Sequence, residues 1–339
     1  MSNRNLLVSI LIITYNYEKE LIRALNAIKK QSYKNYEVII VDDASSDNTI
    51  ATTNAFIYNN PELNIQLICH DTNQGIIAAR NTALQYAKGD YLYIHDADDW
   101  MEPDCLAELV NAAQVTNADR VIGEFQDVDT NGKILQIRNI DKNSSKWLHN
   151  MHDASLYKHS IIQKNKIRYI DGTWDDLAFK FLFSFHSKKT TFVHKVLFNY
   201  YVNTKSASGA QTLANAPLNI DKFSFLLKLF KQYQPKMEES DWIMAEYYLI
   251  KYYFFSLLHE GRYSKVKSLL QRYQTLHNEI KLNLPNYSKN KNLTLFKANH
   301  DRTYGRVLTY LLVHLEKLHI LPLCLIIYHF LSKFKYFPV

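Results

Sequence analysis

The sequence predicts an α/β fold, with a mostly parallel sheet flanked by helices and a helical C-terminal region after it. Up to residue 125, apolar segments of strand length alternate with segments of helical periodicity. Helices cover both faces of a parallel sheet, so its strands are apolar throughout, as these segments are. After about residue 216 only helical patterns remain. These observations together favour crossover connections in the first half and helix packing in the second.

The predicted strands are continuous apolar runs, and each helix between them spaces its apolar residues three or four positions apart. The first run ends in Tyr15-Asn16 without a small-residue cleavage site, so it indicates a buried strand rather than a signal peptide. The predicted strands are Leu7–Thr14, Tyr36–Val41, Ile65–Cys69, Tyr91–His95 and Arg120–Phe125. The predicted helices cover about 18–31, 46–59, 76–87 and 104–116.

A mixed region follows the fifth strand. Asn131-Gly132 predicts a hairpin turn. Beyond it we expect a helix near 154–164, a helix from about 174 to 187, and short strands near 191–193 and 196–201. The later helices are predicted at 218–233, 239–259, 261–278 and 304–333, with a linker or long loop at 283–300. We therefore expect two domains, at 1–215 and 216–339.

The composition excludes several classes of protein. Apolar residues make up 47% of the chain and charged residues 22%, which indicates a folded globular protein rather than a disordered one. The chain has 8 glycines and contains neither a G-x-G-x-x-G nor a G-x-x-x-x-G-K-[ST] motif. Cys69, Cys105 and Cys324 are far apart and lack metal-ligand spacing. Free thiols in a reducing compartment, and hence a cytoplasmic location, are expected.

The net charge of +7 is unevenly distributed, because basic residues dominate from Lys222 onward. Such an excess is typical of a protein with an anionic partner, such as a membrane surface or an anionic glycan, and equally of a solvated basic face. No nucleic-acid-binding motif accompanies it, so a nucleic-acid partner is not expected. The aromatic-rich helices of this region could also form a homo-oligomer interface.

The apolar stretch Val307–Leu331 raises the question of a membrane span. It contains ionisable side chains that would be costly at mid-bilayer, and its cleaner run from Ile320 to Leu331 falls short of the roughly 20 apolar residues that a span needs. A helix lying on the inner membrane face and a helix packed inside a helical domain both fit the pattern. Lys333 and Lys335, close to several aromatic residues, are typical of a headgroup boundary.

The motif Asp96-Ala97-Asp98 directly follows the fourth predicted strand. Two carboxylates one residue apart can both face a divalent cation, and Mg²⁺ or Mn²⁺ is often bound by one or two carboxylates together with substrate phosphates. Such a cation would neutralise a departing diphosphate. A short acidic cluster can also be a solvated turn. The buried strand before it and the polar ends of neighbouring strands favour the metal site.

Three further features are candidates for the same site. Asp42-Asp43 closes the second strand and can accept hydrogen bonds from a base or ribose, although one of the two could simply cap the next helix. Arg80 offers a permanent charge near a diphosphate, or an ion pair with a nearby acid. Trp174-Asp175-Asp176 supplies a candidate general base for an acceptor hydroxyl, with an ordinary acidic helix start as the alternative.

Five segments, in this order, resemble the family 2 glycosyltransferases, which have the Rossmann-like GT-A fold. They are VSILIITYN (8–16), EVIIVDDASSDNT (37–49), NQGIIAARNTAL (73–84), GDYLYIHDADDW (89–100) and WDD (174–176). The resemblance covers about residues 6–208. It implies an enzyme that transfers a sugar with inversion, from a nucleotide-sugar that is usually a UDP-sugar, using Mn²⁺ or Mg²⁺. The acceptor it implies is a hydroxyl of a glycan or lipid-linked molecule in bacterial surface polysaccharide synthesis.

The resemblance also implies the roles of individual residues. The nucleotide-sugar would be bound by Tyr15, Asn16, Glu18, Asp43, Arg80 and Asp96. Within this set, Asp43 would contact the base and Arg80 the phosphates. Asp98 would be the main metal ligand, with Asp96 beside it. Asp176 would be the catalytic base.

The chain departs from the family pattern in three places. Ile13 stands in place of a proline, Asp175 in place of a glutamate, and Tyr201 in place of a basic residue for which Lys205 could substitute. Two other functions remain open, a nucleotidyltransferase that makes nucleotide-sugars and a non-catalytic scaffold that binds one. Asn16–Lys19 lacks the glycine-rich basic loop expected of the first, and the intact acids argue against the second.

Overall fold

The computed structural model describes residues 5–129, 131–141, 144–148, 152, 154–171, 175–202, 220–259, 264–296 and 301–332. These residues form two compact units. The first unit contains the described residues within 1–142, 150–171 and 175–202, and the second contains those within 143–149 and 203–339. The predicted domain boundary at residue 215 falls outside the described residues, so it stays a prediction.

The described residues of the first unit contain a nine-stranded sheet. Its strands are β1 (Val8–Thr14), β2 (Tyr36–Asp42), β3 (Ile65–Cys69), β4 (Tyr91–Asp96), β5 (Trp100–Met101), β6 (Arg120–Val128), β7 (Ile134–Arg138), β8 (Ser155–Lys158) and β9 (Thr190–Tyr201). They are ordered β3-β2-β1-β4-β8-β6-β9-β5, and β7 pairs with β6. The first four are parallel, as predicted, whereas β8 lies antiparallel to both β4 and β6.

The helices that connect these strands follow the predicted periodicity. They are α1 (Glu18–Lys29), α2 (Thr49–Tyr58), α3 (Ile76–Tyr86), α4 (Cys105–Thr116), α5 (His159–Lys164) and α6 (Asp175–His186). In α1, Leu21, Leu25 and Ile28 are fully buried. These residues are spaced as one face of an α-helix, so burying that face against the sheet stabilises the helix in its place.

Two predictions for the later part of the first unit were wrong in detail. The helix expected near 154–164 begins only at His159, because Ser155–Lys158 forms β8 between two neighbouring strands. Pairing on both edges outweighs the weak local preference of so short a segment. The two short strands expected after residue 190 form one strand, Thr190–Tyr201, with irregular pairing to β6.

The second unit is helical, as predicted. Its longer helices are α7 (Ile220–Tyr233), α8 (Glu239–His259), α9 (Val266–Asn283), α10 (Thr303–Lys317) and α11 (Leu321–Leu331). The single helix expected at 304–333 is therefore two helices. His319 has a left-handed φ of 59° between them. Pro322 lies in the first turn of α11, where its missing N–H group costs no helical hydrogen bond.

A buried carboxylate lies at the centre of the second unit. Glu316 of α10 accepts hydrogen bonds from the Tyr253 hydroxyl at 2.6 Å and lies 2.7 Å from Nδ1 of His277. Tyr287, in a short 3-10 helix after α9, donates to its other oxygen. Three segments of the chain thereby converge on one side chain of α10.

A segment distant in sequence belongs to the same unit. Lys146–Leu148 forms a single 3-10 turn, and the Trp147 side chain is buried. The Trp147 indole donates to Oδ1 of Asp241 in α8 at 3.0 Å, and Lys146 lies 3.4 Å from Oδ2 of the same residue. The sequence gives no signal for this contact, because the two segments are about 94 positions apart.

The cysteines are free thiols, as predicted, with Cys69 exposed, Cys105 buried and Cys324 half-buried. Among helices made of described residues, none has both the length and the apolar character needed to cross a membrane.

Candidate functional site

The carboxyl ends of four parallel strands meet at one edge of the first unit's sheet. Strand β1 lies between β2 and β4, and the register places Thr14 opposite Asp42 and Ile13 opposite Asp96. Strand β3 extends this edge, since Asp42 lies opposite Cys69. Polar residues that follow β1, β2 and β4 in the sequence therefore emerge side by side.

The turn after β4 carries the D-x-D motif. Asp96 ends β4, and Asp98 lies in the turn before β5. The Asp99 N–H group donates to the carbonyl oxygen of Asp96 at 3.2 Å, while Oδ1 of Asp99 accepts from the Tyr201 N–H group at 2.7 Å. These bonds fix the turn and tie it to the end of β9.

Arg23 of α1 contacts the same turn. Its Nη2 atom donates to the carbonyl oxygen of Asp98. Its guanidinium carbon lies 4.3 Å from the ring centroid of Trp100 and 4.7 Å from that of Tyr201. A planar cation suits this place, because it can stack on aromatic rings while donating hydrogen bonds. Tyr201 stands where the family pattern has a basic residue, and its ring packs against the basic side chain of Arg23 from α1.

The electrostatic environment of the turn disfavours negative charge. Burial raises the pKa of Asp98 to about 6, and the charge of Asp96 adds to this effect. Burial also raises the pKa of Tyr17, in the β1–α1 turn, to about 12, with a further contribution from the charge of Asp98. Both shifts have the sign expected of a half-buried pocket with excess carboxylates. A divalent cation would relieve this excess.

Arg80 of α3 is buried beside Asp96. Its Nη2 atom lies 3.1 Å from Oδ1 of Asp96, and its guanidinium carbon lies 5.3 Å from the ring centroid of Tyr169. Burial alone would lower the pKa of Arg80, but the charges of Asp96, Tyr169 and Asp176 outweigh it and raise the pKa. The ion pair with a nearby acid, one of the two alternatives from the sequence, is present and keeps a fixed positive charge beside the D-x-D turn.

Asp176 lies in the first turn of α6 and is paired with Lys180 one turn later. Lys180 Nζ lies 2.8 Å from Oδ2 of Asp176, and the lysine side chain is 5% exposed whereas the aspartate side chain is 35% exposed. The buried ammonium group orients a carboxylate that solvent can still reach. Since Asp176 is among the charges that raise the pKa of Arg80, this carboxylate lies in the same electrostatic environment as Asp96.

The carboxylate of Asp43 is hydrogen-bonded to other residues of the first unit. Its Oδ1 atom accepts from the Gln74 N–H group at 2.9 Å and lies 2.7 Å from Nδ1 of His70, and its Oδ2 atom accepts from the Gly75 N–H group at 2.7 Å. Gly75 has a φ of +87°, a conformation that favours glycine. Burial opposes ionisation of Asp43, but these hydrogen bonds outweigh it and lower the pKa. Asp43 thus organises the turn before α3, whatever else it contacts.

Asn16 joins the loops after β1 and β2. Its backbone is left-handed, with a φ of 57°, which asparagine tolerates better than most residues. Its side-chain oxygen accepts from the N–H groups of Ser46 and Asp47 at 2.8 and 3.3 Å. Tyr15, beside it, is 44% exposed. Asn16, which is expected to bind the nucleotide, therefore also holds the loops after β1 and β2 together.

Glu18 and Asp42 occupy the same two loops. Glu18 is the half-buried first residue of α1, and its N–H group donates to the Asp47 carboxylate. Asp42 accepts from the N–H and hydroxyl groups of Ser45 at 2.8 and 2.6 Å. Asp42 is therefore the member of the Asp42-Asp43 pair that stabilises the turn leading to α2.

The residues present fit a metal ion that is shared with a substrate. Within the described part of the chain, no group of three or more His, Cys, Asp and Glu side chains could hold a metal alone. Mg²⁺ and similar hard cations are commonly bound by one or two carboxylates together with substrate phosphates, so Asp96 and Asp98 are a sufficient protein contribution. The raised pKa of Asp98 points the same way, because a cation would stabilise its ionised form.

Several contacts at this site were not predicted. The side chains concerned are Tyr17, Arg23, Asn81, Tyr169 and Lys180. The spacing of Lys180, four residues after Asp176, could have indicated the ion pair. Asn81 and Tyr169 are 88 residues apart, and no local pattern connects them.

Some residues that the resemblance uses cannot be placed. Trp174, the side chain of Asp175, and Lys205 lie outside the described residues.

Comparison with known proteins agrees with this architecture. Residues 9–173 match the model of Glycosyl transferase family 2. The glycosyltransferase GlyG of Streptococcus pneumoniae serotype 4 is 29% identical over 214 residues, which cover 57% of this chain and 70% of GlyG. The poly(ribitol-phosphate) beta-N-acetylglucosaminyltransferase TarP of Staphylococcus aureus is 27% identical over 61% of this chain and 68% of TarP.

A solved structure shares the fold. Residues 1–349 of S. aureus TarS, in complex with UDP-GlcNAc, superpose with a TM-score of 0.67 at 18% identity, covering 92% of each chain. The order of the motifs, the parallel strand ends that carry them and these comparisons lead to one conclusion. Residues 9–173 of this chain are a family 2 glycosyltransferase domain, and the chain has the GT-A fold.

Proposed function

We propose that this glycosyltransferase is a metal-dependent, inverting enzyme that moves a sugar from a UDP-sugar to a hydroxyl of a bacterial surface glycan or of a lipid-linked glycan. The observation that carries the proposal is the ion pair of Arg80 with Asp96, which lies two residues from Asp98; the Arg80 cation also interacts electrostatically with Asp176. Arg80 is paired with Asp96, its pKa responds to Asp176, and Asp96 in turn raises the pKa of Asp98. A single displacement at a sugar diphosphate needs metal-binding carboxylates, a fixed cation and a base in one place.

Asp98 and Asp96 are the residues that would hold Mn²⁺ or Mg²⁺ together with the donor diphosphate. When bound, the cation supplies a Lewis acid that stabilises the negative charge of the departing nucleoside diphosphate. Arg80 adds a second positive charge and keeps Asp96 in position. Arg23 donates to the carbonyl oxygen of Asp98 and so holds the main chain of the D-x-D turn in place.

Asp176 would act as the general base. The acceptor oxygen forms a bond to the anomeric carbon while its proton passes to the carboxylate. The bond between the anomeric carbon and the diphosphate oxygen breaks, and the electron pair leaves with the nucleotide. Since Lys180 is bonded to Oδ2, we assign Oδ1 as the atom that takes the proton. One displacement inverts the anomeric centre.

The loops after β1 and β2 would bind the nucleotide, through Tyr15, Asn16, Glu18 and Asp43. The likeness to TarS with UDP-GlcNAc supports a uridine nucleotide, and the polymer named for TarP supports a surface glycan as acceptor. The basic excess after Lys222 suits an anionic glycan. Contact of the second unit with the inner membrane face, and a homo-oligomer, stay predictions.

The test of this proposal is the Asp176→Asn variant. It keeps the size of the side chain but removes the base, so transfer should fall by about 100-fold or more while donor binding persists. The matched control is Asp104→Asn, because Asp104 also lies at a helix start and is paired with a lysine, Lys195. Transfer by Asp176→Asn at the native rate would reject the base assignment.

The donor can be identified separately. UDP-, GDP- and dTDP-sugars would be screened with and without Mn²⁺ for thermal stabilisation of the protein. A UDP-sugar should give the largest shift, and only with the metal. Stabilisation by a sugar phosphate and a nucleoside triphosphate instead would indicate a nucleotidyltransferase.

A further inference from the structure

Asn81 makes an unusual pair of hydrogen bonds with the backbone of a distant residue. Its Nδ2 atom donates to the carbonyl oxygen of Tyr169 at 3.0 Å, and its Oδ1 atom accepts from the N–H group of Tyr169 at 2.9 Å. The side-chain amide thus satisfies both main-chain polar groups of one residue in the segment between α5 and α6. Because an amide has one donor side and one acceptor side, few other side chains could do the same.

The ring of Tyr169 passes this restraint on to α6. It is buried and stacks on Phe179, with ring centroids 4.5 Å apart and an interplanar angle of 9°. Phe179 lies on α6 three residues after Asp176, so the two side chains share neighbouring turns of one helix. A shift of the Tyr169 backbone would therefore move the helix that carries the candidate base.

The neighbour of Asn81 in the sequence restrains the other half of the site. Arg80 lies 3.1 Å from Asp96 and packs over the ring of Tyr169 at 5.3 Å. Two consecutive residues of α3 thus reach the D-x-D turn and, through Tyr169, the start of α6.

We propose that Asn81 is a positioning residue that sets the place of Asp176 relative to the D-x-D turn. This inference rests on the proposed function, because it assumes that Asp176 is the base. Asn81 does not touch the reacting atoms; it acts through Tyr169 and Phe179. The bland alternative is that its amide merely satisfies a loop backbone, in which case its loss would cost stability and nothing else.

The two interpretations differ in whether kcat changes. Asn81→Ala should lower kcat for transfer by about 10- to 100-fold, the cost of a base displaced by around 1 Å. The KM for the donor and the thermal shift given by UDP with Mn²⁺ should stay within about twofold of the native values, because Arg80 and Asp96 are untouched. The matched control is Asn165→Ala, since Asn165 bonds only within its own turn, to Ile161, in the residues the structure describes.

A double-mutant cycle tests the route of the effect. Phe179→Leu removes the stacked ring and should itself lower kcat. Adding Asn81→Ala to it should lower kcat by less than about twofold more, because the direct ring contact between Tyr169 and α6 is already lost. This comparison keeps the inference testable even if one single variant proves too unstable to assay.

The outcomes are distinct. A fall in kcat no larger than that of Asn165→Ala, or independent effects that multiply in the double variant, would overturn the role of Asn81 while leaving the proposed function intact. Native transfer by Asp176→Asn would instead remove the base on which both depend. A selective loss of kcat with coupled effects supports the inference.

Discussion

Glu316 in the second unit and Asp98 in the first are both acids with restricted access to solvent, but their surroundings have opposite character. The Glu316 side chain is 3% exposed and accepts hydrogen bonds from several tyrosine and histidine side chains. These donors are Tyr253, Tyr273, His277 and Tyr287. Asp98 instead lies near Asp96, and burial together with that negative charge raises its pKa to about 6.

The difference separates an acid whose hydrogen bonds are satisfied within the fold from one whose ionisation is disfavoured. A carboxylate surrounded by donors has its hydrogen-bonding capacity satisfied within the fold, and such a network helps to hold a core together. A carboxylate next to another carboxylate is ionised at a cost, and that cost is recovered only when a cation arrives. The surroundings of Glu316 therefore stabilise the folded state of the second unit, whereas those of Asp98 suit the cation binding that we propose for it.

The largest expected effect that tests this comparison is on Asp98→Asn. The amide cannot replace an anionic metal ligand, so transfer should fall by about 1,000-fold or more, since a catalytic cation contributes several kcal/mol. Stability should not fall, because the variant removes a charge that burial disfavours. Transfer rates and melting temperatures would be measured together. Transfer by Asp98→Asn within tenfold of the native rate would contradict the role of Asp98 as a metal ligand. A melting temperature well below that of the native protein would contradict the view that Asp98 does not stabilise the fold.

Glu316→Ala should give the reverse result. It leaves several donors unsatisfied, among them the buried hydroxyl groups of Tyr253 and Tyr287, so the free energy of unfolding should fall by about 3 kcal/mol. Glu316→Gln is the matched control: it retains one acceptor oxygen and should cost about half as much. Urea denaturation followed by circular dichroism would measure both. Equal stability of the alanine variant and the native protein would show that the hydrogen bonds of Glu316 do not stabilise the folded state.

The smallest expected effect is a pH dependence of metal binding. Since the pKa of Asp98 is raised to about 6, protons compete with Mn²⁺ below that pH. The Kd for Mn²⁺ in the presence of UDP should be nearly constant from pH 8 to 7 and should rise about fivefold between pH 6 and 5.

As the pH falls, the affinity for Mn²⁺ should decrease, whereas the contribution of Asp98 to the stability of the metal-free protein should increase. A raised pKa means that the folded state binds the Asp98 proton more tightly, so this group stabilises the fold at low pH and loses that contribution as the pH rises through about 6. Calorimetric titrations of the native protein and of Glu316→Gln should show the same pH dependence of Mn²⁺ binding. An affinity that does not change between pH 7 and 5 would contradict the assignment of Asp98.

The sequence was sufficient for the parts of the site that lie in one continuous segment. Strand β4 and the Asp96–Asp98 turn are adjacent in the chain, so an apolar run followed by acids predicts both. The parallel pairing of β1 with its neighbours follows from the connecting helices. These features are set by local pattern and by the geometry of crossover connections.

What could not be predicted depends on contacts between distant segments. Ser155–Lys158 is a strand only because two neighbours pair with it. Asn81 meets Tyr169 across 88 residues, and Glu316 draws its donors from separate helices. From the sequence, Glu316 is only one of the ionisable side chains in Val307–Leu331 that argue against a membrane span. Its hydrogen-bonding role requires the packed helices around it.

The place of Trp147 bears on how this protein can be divided. The tryptophan lies in the chain between β7 and β8 of the sheet, yet its side chain is buried in the helical unit and its indole donates to Asp241. A fragment that stops at residue 215 would retain Trp147 and lose the helix that covers it. Removing the helical unit would therefore expose the Trp147 side chain. We expect an exposed aromatic side chain of this size to promote self-association of the truncated protein.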